Sequence, residues 1–257
     1  MVTESTWGSP KVVNISTDKL INGSYAPKYC RPAFSVAILV PYRNRKEHLN
    51  IFLPNIHNFL KMQNIHYKVY LIEQQDEHPW NKGILFNVGA KQAIADGFPC
   101  LILHDVDLLP LDHSNLYACT IQPRHMSSCI DEFRFVLLYD IIFGGVVSIR
   151  SDQYKTVNGF SNKFDYWGGE DDEFLERIFE NGLKMQRFPP DMSRYTLLHG
   201  HAPRVDNKNR WIIRAENRRT RRRGDGLDSV QKHVLKVTVE GHPMYTLLGV
   251  KRNYSIT

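Results

Sequence analysis

Phe34-Ser-Val-Ala-Ile-Leu-Val-Pro41 is a continuous apolar run closed by proline, and its reading sets the fold. Runs apolar on both alternations belong to strands buried on both faces. Tyr42-Arg43-Asn44-Arg45 follows as a polar loop. Over 48–62, Leu49, Phe52, Leu53, Ile56, Phe59 and Leu60 recur at helical spacing. A second strand is expected over 67–73, a second helix over 82–95 and a third strand over 99–104. This β-α-β-α-β order predicts an α/β domain with a mostly parallel central sheet and crossover helices. Ligands of such sheets bind beyond the carboxyl ends of the strands. The Arg43-Asn44-Arg45 loop and Asp105-Val106-Asp107 both fall there.

Two acidic clusters carry the chemistry. Asp105-Val106-Asp107 ends the third strand, and Glu170-Asp171-Asp172-Glu173 follows Trp167-Gly168-Gly169. Carboxylates packed this closely repel and call for a cation or a proton. A strand-end Asp-x-Asp suits Mn²⁺ or Mg²⁺ holding a diphosphate, although short acidic pairs also cap helices. A carboxylate on a glycine-rich segment suits general-base work. Arg43 and Arg45 read either as fixed charges beside a diphosphate or as surface loop arginines. An aromatic beside glycines and acids, as in Trp167 to Asp172, is a sugar-binding combination; acids that complement a helix dipole are the competing reading.

The second half is less regular. A strand is expected over 143–149, with close backbone approach at Gly144 and Gly145. A helix is expected over 171–181, a short strand over 195–198, a helical stretch over 208–222, and paired strands over 234–239 and 245–250. His199-Gly200-His201 follows the short strand. Continued strand alternation would put both imidazoles on one side, where two His and one carboxylate suit Mn²⁺; solvated or core histidines are the alternative. Residues 1–33, rich in Ser, Asn, Pro and Gly, read as an irregular arm. Residues 34–257 read as one catalytic domain, with a nucleotide-binding half at 34–110 and an acceptor-binding half at 111–257.

A chain of 257 residues, 42% hydrophobic, can bury the core of one such domain. Part of its +6 charge lies in Arg218, Arg219, Arg221, Arg222 and Arg223. That run reads as a solvated helix end or as a site for an anionic partner; no recognition module accompanies it, which argues against nucleic acid. No apolar stretch approaches about 18 residues, so no membrane span is expected. Nothing at Met1 reads as a signal peptide. Two settings remain: the cytosol, or the lumenal part of a longer, anchored protein. Cys30, Cys100, Cys119 and Cys129 fit no zinc-ribbon spacing. Asn-x-Ser sequons at Asn14, Asn22 and Asn253 are compatible with lumenal glycosylation.

Read together, several segments resemble the β-1,4-galactosyltransferase family. They are Pro41-Tyr-Arg-Asn-Arg45-Lys-Glu-His-Leu49, Phe86-Asn-Val-Gly89, His104-Asp-Val-Asp-Leu-Leu-Pro110, Gln122-Pro-Arg-His125, Phe143-Gly-Gly-Val146, Asn158-Gly-Phe160 and Trp167-Gly-Gly-Glu-Asp-Asp172. They stand in the family's order over roughly residues 26–250. The resemblance implies a GT-A-type glycosyltransferase with Mn²⁺ and a UDP-sugar donor. By position, Pro41, Arg43, Arg45, Val106 and Asp107 would line the UDP site, and Asp107 would bind the metal. Asp171 would be the general base. Trp167 would sit on a mobile loop closing over donor and acceptor. Phe133, Tyr139, Gly168, Gly169, Asp172 and Trp211 would line the acceptor side. Cys100 and Cys119 match a family disulfide; Cys30 matches a cysteine whose partner lies upstream, where this chain has none. Family members are type II Golgi membrane proteins, so this chain would be a lumenal fragment without its anchor.

Three departures narrow the reading. The common Trp-Gly-Trp-Gly-Gly is here Asp165-Tyr166-Trp167-Gly168-Gly169. The usual Met-x-x-His ligand pair is replaced by His199-Gly-His201, which, with Asp172-Glu173-Phe174, is similar to the xylose-specific, proteoglycan-linker branch. Ile142 stands where vertebrate galactosyltransferases carry Tyr and invertebrate N-acetylgalactosaminyltransferases carry Ile; it leaves room for a 2-N-acetyl group on the donor. The expected activity is therefore inverting transfer of GalNAc or Gal from UDP-GalNAc or UDP-Gal to the 4-hydroxyl of a terminal β-GlcNAc glycan. Transfer to xylose is the runner-up, and a catalytically idle, sugar-binding relative is the rival of a different class.

Overall fold

The computed structural model describes residues 20–200 and 204–253. Its strands and helices, in chain order, are β1 Ser24–Tyr25, β2 Ser35–Tyr42, α1 Lys46–Met62, β3 His66–Gln74, α2 Lys82–Ala95, β4 Cys100–His104, β5 Leu108–Pro110, β6 Arg124–His125, β7 Cys129–Ile130, β8 Val146–Arg150, α3 Ser151–Thr156, α4 Glu170–Glu180, β9 Arg194–Leu197, α5 Arg210–Arg219, β10 Val234–His242 and β11 Tyr245–Arg252. The main sheet runs β10-β11-β3-β2-β4-β8-β6, with β1 paired to the start of β3. The ladders β11–β3, β3–β2 and β2–β4 are parallel; β4–β8, β8–β6 and β10–β11 are antiparallel. The centre is thus parallel, as the βαβ pattern requires, and the added strands are not.

Strand alternation sends β2 into two cores. Ala37 and Leu39 pack on one face with α2, α3 and α4; Val36, Ile38 and Val40 pack on the other with α1. The helical stripe read from the sequence, Leu49 to Leu60, is buried throughout. α2 has no single apolar stripe because it is buried nearly all round. Gly89 allows the approach: a Cβ there would lie 2.9 Å from Ile72. Asn81 caps α2, its side-chain oxygen accepting from the Ile84 N–H at 2.9 Å. A second sheet, β5-β9-β7, sits under the α1 face, and the Cys100–Cys119 disulfide ties β4 to the loop beneath it.

Four expectations are corrected. The strand expected from 143 starts at Val146, because Gly145 turns the chain at φ +81°. The helix expected to 222 ends at Arg219, with Arg221 and Arg222 in the left-handed region. The arm contributes Ser24–Tyr25 to the main sheet, while residues 1–19, including Asn14, lie outside the described residues. The arginine run is only partly solvated: Arg222 is buried and bonds Glu173, Glu176 and Glu180 of α4.

Candidate active site

Beyond the carboxyl ends of β2 and β4 lies a cleft of about 860 Å³. Pro41, Arg43 and Arg45 line it from β2 and its loop, and Asp105, Val106 and Asp107 from the turn after β4. Arg43 donates to the His78 carbonyl at 2.7 Å and lies over the Trp80 ring at 5.6 Å. Arg45 donates to Asp107 Oδ2 at 2.8 Å. The β4–β5 turn is therefore held in reach of the arginine loop, and the expected donor residues share one wall.

The opposite wall is the lead-in to α4. Phe160 stacks on Phe174 with centroids 4.0 Å apart and on Phe86 of α2 at 5.2 Å. Asn87 secures that join, donating to the Phe160 carbonyl and accepting from its N–H. The Phe86-Asn-Val-Gly89 and Asn158-Gly-Phe160 segments thus dock α4 on α2. At the far end Arg177, fully buried, pairs with Glu173 at 2.7 Å and Asp225 at 3.2 Å.

Docked this way, the first turn of α4 brings Glu170 into the lining of the cleft, with Asp171 next to it on the helix. Gly144 lies against Asp171; a Cβ on Gly144 would stand 2.6 Å from Asp171 Oδ2, so any side chain there would displace that carboxylate. Lys82, the first residue of α2, reaches between the clusters: its Nζ is 3.1 Å from Asp105 and 3.3 Å from Asp171. Burial works against the Lys82 charge, but Asp105, Asp171 and Glu170 outweigh it and raise its pKa. Burial pushes the Asp171 carboxyl up to about 7; Lys82 opposes this, and Glu170 and Asp105 add to it. Glu170 is also raised by burial, and its carboxylate accepts the Gly168 N–H at 3.0 Å. With 29% of its side chain exposed, Asp171 is open to a bound molecule beside Lys82, which lines the cleft.

Around Asp171 the expected acceptor residues assemble in part. Asp172 pairs with Arg214 at 3.3 Å, and Trp211 lies over Arg214 at 5.0 Å. Burial raises the pKa of the Tyr139 hydroxyl, and the charges of Asp172 and Asp171 add to it. Ile142 is two residues before Gly144, anchored by its carbonyl to Arg187 at 2.7 Å. Gly168 and Gly169, both at positive φ, pack under Arg210. Phe133 lies in the one-turn Asp131–Phe133 helix, which Asp131 fastens to the Leu197 N–H at 3.0 Å. Trp167 is 43% exposed in the cleft, lies under Arg204 at 5.1 Å, and exchanges backbone bonds with Val205 and Asn207.

The metal set is only partly in view. The Leu198 N–H donates to the Asp107 carbonyl at 2.7 Å, which brings His199 next to the Asp-x-Asp turn. His48 of α1 reaches the His199 carbonyl at 2.9 Å. His201 lies outside the described residues, and among the described residues no three His, Cys, Asp or Glu side chains gather as a metal cluster. The expected reason for a same-side His pair is corrected: β9 ends at Leu197 and Gly200 is at φ +95°, so strand alternation does not carry through. An acid facing the cleft with an exposed imidazole nearby still fits a hard cation as a donor set.

Sequence reasoning missed Lys82 and Trp80. A signal existed for the first: a lysine in the first turn of a helix opposes the helix dipole and needs anions close by. Arg214 was missed because its partners, Asp172 and Glu176, are about forty residues away.

Two family models match the chain. One, described as the N-terminal region of glycosyl transferase group 7, covers residues 5–120; the other, described as the N-terminal domain of galactosyltransferase, covers residues 124–202. The chain is 36% identical over 234 residues to β-1,4-galactosyltransferase 2 of Mus musculus, covering 90% of this chain and 63% of that protein. It therefore spans under two thirds of the length of that curated relative. Among solved structures it is similar to the catalytic domain of Drosophila β-1,4-galactosyltransferase 7 in complex with xylobiose, with TM-score 0.73, 30% identity, and coverage of 87% of this chain and 96% of that one. A variant of the fly enzyme in complex with manganese, UDP-Gal and xylobiose gives TM-score 0.72, 29% identity and the same two coverages.

Proposed function

Because this chain belongs to the β-1,4-galactosyltransferase family, we propose that it is an inverting, Mn²⁺-dependent glycosyltransferase. It moves galactose from UDP-galactose to the 4-hydroxyl of a terminal sugar. The observation that carries this reading is Asp171: one carboxylate raised toward neutrality by burial and 3.3 Å from Lys82, which lines the cleft whose other wall holds two arginines and an Asp-x-Asp turn.

In the proposed reaction the acceptor hydroxyl gives its proton to Asp171 as its oxygen bonds the anomeric carbon. The bond from that carbon to the diphosphate oxygen breaks on the opposite face, which inverts the centre. The electron pair leaves on UDP, whose charge Arg43 and Arg45 help to stabilise. Manganese, held by Asp107, His199 and His201, would supply Lewis-acid charge at the diphosphate. Tyr139, Trp211 and the Asp172–Arg214 pair orient the acceptor, while Trp167 shields the cleft from water.

Ile142 extends the donor range toward UDP-GalNAc, since it lacks a ring that would press on the 2-substituent. For the acceptor, terminal β-GlcNAc is the first reading. Xylose is the second, favoured by the fly enzyme that binds xylobiose and aligns over 96% of its chain. The Cys100–Cys119 bridge suits an oxidising compartment, in keeping with Golgi residence of the whole protein. No described helix is long and apolar enough to cross a membrane.

The test is a donor-by-acceptor assay of UDP-Gal and UDP-GalNAc against GlcNAc and a xyloside. Acceptor-dependent UDP release with Mn²⁺ is expected. No release with any pair would favour the idle, sugar-binding relative.

A further inference from the structure

β10 is an edge of the main sheet, and its sequence is complementary to itself. Val237 and Val239 lie opposite Val250 and Leu248 of β11, so they continue the core face of the sheet. Among the described residues no helix covers them: Val237 is 41% and Val239 is 56% exposed. Val237 also rims a groove of about 390 Å³ against α2, lined by Val88, Ala95 and Leu248. On the other face Lys236 and Glu240 are exposed, and neither has an ion-pair partner among the described residues. Lys236 stands opposite Lys251 across the ladder, a like-charge pair that favours a carboxylate on the open flank.

We propose that this edge pairs antiparallel with β10 of a second copy of the chain about a two-fold axis at Thr238. In that register, residues whose numbers sum to 476 face each other. Lys236 meets the second copy's Glu240, Glu240 meets its Lys236, and Val237 meets its Val239. Two ion pairs and a continuous valine row form together, and the eight-stranded sheet of one copy runs into that of the next. The contact is isologous, as a two-fold axis demands, and uses open backbone groups as in strand addition. A lysine on an edge strand usually blocks such pairing. Here Glu240 stands at the one position that matches it, and a shift by one residue loses both ion pairs and turns the valines to the wrong face. The regular stretch 236–242 suffices, since the bulge lies between Val234 and Lys236. An edge contact of this length is small, so the dimer is expected to dissociate in the micromolar range, on the order of 10 µM.

The experiment is sedimentation velocity on the 257-residue chain from about 1 to about 200 µM, with circular dichroism to check each variant's fold. The parent should pass from monomer to dimer. Lys236→Glu and Glu240→Lys each set like charges face to face, twice per dimer, and should weaken association by about tenfold or more. The double variant Lys236→Glu with Glu240→Lys restores opposite charges and should dimerise like the parent. Thr238→Cys should cross-link two chains on oxidation. A parent that stays monomeric throughout, a dimer indifferent to both single changes, or a double variant no better than the singles would overturn the proposal.

Discussion

Lys82 and Asp171 meet across 3.3 Å where the start of α2 faces the start of α4. The same ammonium is 3.1 Å from Asp105, so one cation joins the turn of the donor wall to the proposed base. Lys82 thereby sets how readily Asp171 gives up its proton. Asp171 must be ionised to accept a proton from the acceptor. Its pKa is raised to about 7, chiefly by burial, and Lys82 holds it from rising further.

Lys82→Met should therefore move the acid limb of kcat/KM toward alkaline pH by roughly one unit, while Lys82→Arg should leave it near the parent's position. The pH profile of both variants checks this. An unmoved limb in Lys82→Met would mean that the pair is only structural.

Arg177→Met should destabilise the fold by about 3–5 kcal/mol, because it leaves Asp225 in the interior without its cation and Glu173 with Arg222 alone. Arg177 and Glu173 have no exposed side-chain surface, so solvent cannot take the place of the lost partner. Denaturant unfolding measures the change. A loss below about 1 kcal/mol would place those carboxylates in water or in protonated form.

The metal reading predicts that EDTA abolishes transfer and that Mn²⁺ restores it. Asp107→Asn, His199→Ala and His201→Ala should each raise the Mn²⁺ concentration for half-maximal rate by about tenfold or more. An Mn²⁺ titration of each variant reads the effect. A histidine variant with the parent's titration curve is not a ligand variant.

Ile142→Tyr should lower kcat/KM for UDP-GalNAc relative to UDP-Gal by at least about tenfold, since one apolar contact discriminates by about 1–3 kcal/mol and a clash by more. Competition between the two donors in one reaction gives the ratio directly. A ratio that does not move would assign donor choice to other side chains.

The sheet centre and its helices were legible because periodicity is a local signal. The apolar run buries as read from Val36 to Pro41, while Phe34 at its start is exposed; the stripe from Leu49 to Leu60 is buried throughout, and α2 spans Lys82–Ala95 as expected. What stayed hidden depends on distant partners. β6 and β7 have two residues each and exist only because β8 and β9 pair with them. Arg222 looked like one of a solvated run until α4 supplied three glutamates. The motifs named Asp107 and Asp171 but not the lysine between the two acid clusters, since its role arises only when α2 and α4 pack.

The central claim, that Asp171 takes the acceptor's proton, is met most directly by Asp171→Asn. The amide cannot accept a proton, so acceptor-dependent transfer should fall by about 10²–10⁴-fold while UDP-sugar binding holds. Stability adds a second sign. A carboxyl raised to about 7 in the fold contributes stability below its unfolded pKa of about 3.9 and loses it as pH rises through about 7. The variant's melting temperature should therefore gain on the parent's between about pH 4 and pH 7. Transfer at pH 7.5, measured alongside UDP-sugar affinity, decides the matter. Lost transfer with retained affinity is the predicted result; turnover within a few-fold of the parent would contradict the account and move the base elsewhere on α4.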